Sequence, residues 1–159
     1  MNNVIVGISE MAVSNHLDDL LVTYSLGSCL GVTFYDPVLK VAGMIHCMLP
    51  LSNIDTEKAR QSPCMFVDTG VPKLLTEMFQ LGCQKRHIIT RLAGAANVLD
   101  NKNLFRIGER NYAVCRKILW KNSILIASED VGGQISRTVR LEIGAGRLTV
   151  KSGDRELEL

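Results

Sequence analysis

The sequence predicts an α/β fold, a layered sandwich in which helices flank a mixed, largely antiparallel sheet. Three observations carry this. Residues 29–46 hold two runs rich in apolar, β-branched and aromatic residues on either side of an Asp36-Pro37 turn signal. Val71, Leu74, Leu75, Met78 and Phe79 recur at helical spacing. Residues 139–150 alternate, turn at Gly144-Ala145-Gly146, and return. With 159 residues, 47% of them hydrophobic, the chain suits one domain spanning 1–159. A domain of that size buries about 68–70% of its unfolded surface, enough for a full core.

Taken in order, Cys29 to Tyr35 and Leu39 to His46 read as the two strands of a hairpin. Asp68 or Thr69 can cap a packing helix with Pro72 in its first turn, and Gly82 stops it. His87 to Leu92 reads as the next strand, and Glu109 to Leu119 as a second helix with Tyr112, Cys115, Ile118 and Leu119 turned to the core. Ile124 to Ser128 is a short strand. Val139 to Ile143 and Leu148 to Val150 form a terminal hairpin with one solvated face.

The first hairpin carries the chemistry. If its loop is even and centred on Pro37 and Val38, Tyr35 pairs with Lys40, Gly31 with Met44, and Cys29 with His46. Directly opposed residues share a face with Cβ atoms about 4.5–5.5 Å apart, within hydrogen-bonding reach of a thiol and an imidazole. Pro37 cannot take the positive φ of a type I′ turn, which favours a longer loop or a bulge. An odd loop would instead set Cys47 opposite Cys29.

A thiol needs such a neighbour because the thiolate is the nucleophile. Free cysteine has a pKa of about 8.5, which an adjacent imidazolium lowers. A third polar group usually orients the imidazole through its other nitrogen. Thr23 is the candidate, with Ser25 and Ser28 as alternatives. In the turn before Cys29, Gly27 permits close approach, and Gly27 and Ser28 can present backbone N–H groups to an oxyanion.

Other features point to structure. Gly132-Gly133-Gln134 reads as a glycine turn, His16 and His87 as structural or exposed, and Glu129 and Asp130 as loop anchors with side chains on opposite sides. Five cysteines, Cys29, Cys47, Cys64, Cys83 and Cys115, form no C-x-x-C pair. That argues against a disulfide framework or a metal site and for a reducing compartment. A net charge of +2 with scattered basic residues offers no nucleic-acid patch. No run approaches the length of a membrane span, and the N-terminus lacks a secretory pattern, so a cytoplasmic protein is expected.

The residues 21–32, from Leu21 through Thr23 and Cys29 to Val32, followed by Tyr35-Asp36 and then His46 to Pro50, resemble the CheD family of bacterial chemotaxis, the chemoreceptor glutamine deamidases. Val6 to Glu10, Gly94-Ala95, Glu129 to Gly133 and Gly146-Arg147 continue the resemblance in order along nearly the whole chain. It implies Cys29 as nucleophile, His46 as general base and Thr23 as third member of a triad. It also implies a sandwich fold like that of deamidating bacterial toxins, no cofactor, chemoreceptors as substrate and the phosphatase CheC as a partner. The implied reaction converts receptor glutamine to glutamate through a thioester, and some family members also hydrolyse glutamyl methyl esters. The chain departs from the family at Gln134-Ile135-Ser136-Arg137, where a glycine commonly precedes the arginine, and at Leu92 to Asn97, where paired glycines are expected. Two other classes share these features: a non-catalytic adaptor, and a transglutaminase-like enzyme in which an amine resolves the thioester.

Overall fold

The computed structural model describes residues 1–97 and 106–159. Along the chain run β1 (Asn2–Ile5), β2 (Met11–Ser14), β3 (Asp19–Leu26), β4 (Leu30–Asp36), β5 (Val41–Cys47), α1 (Thr56–Gln61), α2 (Val67–Gln80), β6 (Ile89–Gly94), α3 (Ile107–Lys121), β7 (Ile126–Val131), β8 (Arg137–Glu142), β9 (Leu148–Ser152) and β10 (Arg155–Glu158). The strands divide into two five-stranded sheets, ordered β1-β3-β8-β9-β10 and β2-β5-β4-β6-β7. Each is antiparallel except for one parallel pair, β1 with β3 and β6 with β7. The expected layered α/β architecture with mixed, largely antiparallel pairing is therefore what forms, with the strands shared between two sheets.

Two cores make three layers. Between the sheets lie Leu21, Leu26, Tyr35, Met44, Val139 and Leu141. On the other side of the second sheet, Val32, Phe34 and Ile45 pack with Val71, Leu74 and Met78 of α2 and Cys115 and Leu119 of α3. Strands β4 and β5 are buried along their whole length because both of their faces are covered, which is why they read as near-continuous apolar runs. Within the described residues, no helix is long and apolar enough to cross a membrane.

The hairpin register differs from the expected one. Asp36 pairs with Val41, Tyr35 with Ala42, Gly31 with His46 and Leu30 with Cys47. The loop therefore holds Pro37 to Lys40. Asp36 Oδ1 accepts from the N–H groups of Val38 (2.9 Å) and Leu39 (3.1 Å), and the left-handed residue falls at Lys40, φ 56, where proline does not forbid it. The loop stays even, so the faces are those expected, but every pairing slides by two residues. Neither the Cys29–His46 nor the Cys29–Cys47 opposition forms.

Other boundaries move for local reasons. Helix α2 starts at Val67 rather than at an Asp68 or Thr69 cap, because the buried Phe66 anchors its entry. Pro72 thus sits inside the helix instead of its first turn, and Asp68 is spent accepting from Ser52 N and Oγ, both at 2.9 Å. His87 closes a 3-10 turn, leaving β6 to open at Ile89. Glu129 and Asp130 lie within β7 rather than in a loop. Tyr112 Oη donates to Glu129 (2.7 Å), and Arg137 Nε donates to Asp130 (3.0 Å).

The sheets are also tied by Tyr35, whose buried hydroxyl donates to the Ile143 carbonyl at 2.8 Å. Tyr35→Phe removes that donor and orphans the carbonyl, so we expect a loss of about 1–2 kcal/mol. Urea denaturation should show a lower midpoint at an unchanged slope; an unchanged midpoint would contradict the assignment.

Candidate active site

Thr23 lies on β3 of the first sheet and His46 on β5 of the second, and both are buried. Thr23 Oγ1 is 2.7 Å from His46 Nδ1 and donates to the Val6 carbonyl, also at 2.7 Å. A hydroxyl has one proton to give. With that proton on Val6, the oxygen can only accept from the ring, which assigns the proton of a neutral His46 to Nδ1. The lone pair then resides on Nε2, which is buried and has no hydrogen-bond partner among the described residues. Neither Ser25 nor Ser28 contacts the ring through a hydrogen bond: Ser25 is held at φ 58 in the irregularity where β3 slips against β8 between Thr23 and Leu26.

Cys29 sits one residue before β4, and His46 stands across from Gly31. Cys29 lies in the bend ahead of β4 and packs against the inter-sheet core, the side on which His46 meets Thr23, without standing directly opposite the imidazole. Gly31 offers no side chain between them. The expected direct thiol–imidazole hydrogen bond is absent from this resting arrangement, because the longer loop moved the register by two.

Burial sets the charge state of both groups. It pushes the Cys29 thiol above its usual range, offset in part by the residue's own N–H. It pushes His46 down to about 4. Both are therefore neutral near pH 7, and no thiolate–imidazolium pair stands ready.

The turn 27–29 faces two ways. Its carbonyls are all engaged behind it: Gly27 O accepts from Ala96 N (2.8 Å), Cys29 O from Ala95 N (2.8 Å), and Ser28 O from Asn111 Nδ2 (3.0 Å). Among the described residues, no backbone carbonyl accepts from the N–H groups of Gly27, Ser28 or Cys29, and the Cys29 N–H lies beside its own sulfur. Successive N–H groups of such a turn form a concave site for negative charge. The close fit depends on Gly94, φ 102, where a Cβ would fall 2.5 Å from the Cys29 carbonyl. Asn111, wholly buried on α3, was not among the sequence candidates. It lies 83 positions from Ser28, and no local pattern marks it. A broad groove between α3 and β7, lined by Arg116, Trp120 and Leu125, contains none of Thr23, Cys29 or His46.

The family model described as CheD chemotactic sensory transduction matches residues 48–152. The chain belongs to the CheD family. The matched span begins just after His46, and the relatives extend the similarity across the hairpin. A probable chemoreceptor glutamine deamidase CheD 1 of Syntrophus aciditrophicus is 51% identical over 96% of this chain and 95% of its own. A probable chemoreceptor glutamine deamidase CheD of Solibacter usitatus is 47% identical over 100% of this chain and 94% of its own. Among solved structures, the hypothetical protein YfiH of Bacillus licheniformis aligns with 76% of this CheD-family chain and 49% of its own, at 15% identity and a TM-score of 0.49.

A raised thiol pKa has a direct consequence in the free protein. Alkylation of Cys29 by iodoacetamide should accelerate about tenfold per pH unit through neutrality, as the thiolate fraction grows. Peptide mapping after timed labelling reads this, and a plateau reached below neutral pH would contradict it.

Proposed function

We propose that this chain hydrolyses side-chain carboxamides of chemoreceptor glutamines to glutamate, with Cys29 as nucleophile, His46 as general base and acid, and Thr23 as the group that orients His46. The observation that carries the reading is Thr23 Oγ1 seated between the Val6 carbonyl and His46 Nδ1, which assigns the lone pair to Nε2 on the inter-sheet side against which Cys29 packs. The names of the full-length relatives supply the substrate class.

The steps balance without a cofactor. As Cys29 Sγ attacks the carboxamide carbon, its proton passes to His46 Nε2, and the carbonyl π electrons move to oxygen. The N–H groups of the 27–29 turn receive that oxyanion. Collapse of the intermediate breaks the C–N bond while Nε2–H protonates the nitrogen, and ammonia leaves. His46 then takes a proton from water, hydroxide adds to the thioester, and the C–S bond breaks. Nε2–H returns its proton to sulfur. A glutamyl methyl ester enters the same acyl-enzyme with methanol as the leaving group.

Neutral resting groups suit this scheme. Proton transfer coupled to attack generates charge only when the carbonyl is in place, which is where stabilisation raises the rate.

Cys29→Ala should abolish ammonia release from a receptor cytoplasmic fragment, and His46→Ala should lower kcat by about 10³-fold or more. Thr23→Val should cost about 10–100-fold, while Thr23→Ser, which keeps the hydroxyl, should stay within about threefold of the parent. Ammonia assay with intact-mass analysis reads all four. Continued release by Cys29→Ala, or equal effects of Thr23→Val and Thr23→Ser, would overturn the respective roles.

A further inference from the structure

Asn111 spends both amide protons on backbone carbonyls, Ser28 O at 3.0 Å and Met48 O at 3.1 Å. Two carbonyl partners settle which end of the amide is nitrogen. Its Oδ1 is buried and has no partner among the described residues. The side chain therefore serves as a double donor.

The two carbonyls it holds are not arbitrary. The β4–β5 ladder ends at Leu30 and Cys47. Ser28 and Met48 lie just beyond, one beside Cys29 and the other two residues past His46. Asn111 thus acts as a last rung where the backbone ladder has stopped. Helix α3 reaches this position through Gly108, where a Cβ would come within 2.6 Å of the carbonyls of Ala95 and Ala96. Ala95 and Ala96 are also the donors to Cys29 O and Gly27 O.

No cis peptide bond occurs among the described residues, and in a trans peptide the C=O and the following N–H point in opposite directions. Holding Ser28 C=O toward α3 therefore turns Cys29 N–H away from α3. We propose that Asn111 is a positioning residue of the oxyanion site: it aims the Cys29 N–H and fixes the nucleophile's turn to the strand that carries His46. This rests on the reading of the 27–29 turn as the oxyanion site.

Two reagents separate this role from simple structural support. Acylation of Cys29 by p-nitrophenyl acetate passes through an oxyanion, whereas alkylation by iodoacetamide develops none. In the full chain, Asn111→Leu should slow acylation by about 100-fold while alkylation stays within about threefold. Asn111→Ser, which keeps one donor in a smaller side chain, should fall between the parent and Asn111→Leu in acylation with the same unaltered alkylation. It decides the matter alone if Asn111→Leu does not unfold cooperatively. Tyr35→Phe, destabilised away from the turn, should change neither rate. Acylation unaffected in both Asn111 variants, or acylation and alkylation falling in step, would overturn the proposal. Failure of the deamidase reading looks different: the parent would acylate normally yet release no ammonia from the receptor fragment.

Discussion

One proton organises the site. The Thr23 hydroxyl can give its hydrogen only once, and the Val6 carbonyl takes it, so the same oxygen must accept from His46 Nδ1. The bond to His46 crosses from one sheet to the other, while the bond to Val6 stays with the first sheet. The inter-sheet core of Leu21, Leu26, Tyr35 and Met44 holds the two sheets at the separation the bond requires. Moving either sheet would disturb the tautomer of His46 and, in the proposed reaction, the location of the base.

Burial then determines how reactivity is held in reserve. The same desolvation that lowers His46 to about 4 raises the Cys29 thiol, so the low-dielectric site favours neutral partners. What is fixed in advance is geometry rather than charge: carbonyls of the 27–29 turn are tied back by Ala95, Ala96 and Asn111, and in the proposed reaction the N–H groups of the same turn receive the oxyanion. A preorganised set of dipoles needs no reorganisation when charge appears. Gly31, Gly94 and Gly108 serve this packing by letting neighbours approach where a Cβ would collide.

The parts that were legible in the sequence were those with strong local signals. The apolar runs around Asp36-Pro37 gave the hairpin, while the parity of its loop, and with it whether His46 or Cys47 lies nearer Cys29, stayed open. The register was not legible to within two residues, because Pro37 excluded a tight turn without saying where the left-handed residue would go; Lys40 took that place. Strands β1 and β2 hold four residues each, too few for a periodicity to announce them. The sequence named Thr23 as the candidate but could not exclude Ser25 and Ser28, since the choice depends on β3 lying across from β5 in another sheet. Asn111 was hidden for the same reason, its partners being fixed by tertiary packing of α3.

The tautomer of His46 is open to measurement by nitrogen-15 NMR of the histidine ring in the free protein, across about pH 5 to pH 8. His46 should be neutral throughout, protonated at Nδ1 with a pyridine-type Nε2, converting on Thr23→Val to a mixture of tautomers. A ring protonated at Nε2, or an imidazolium at neutral pH, would contradict it.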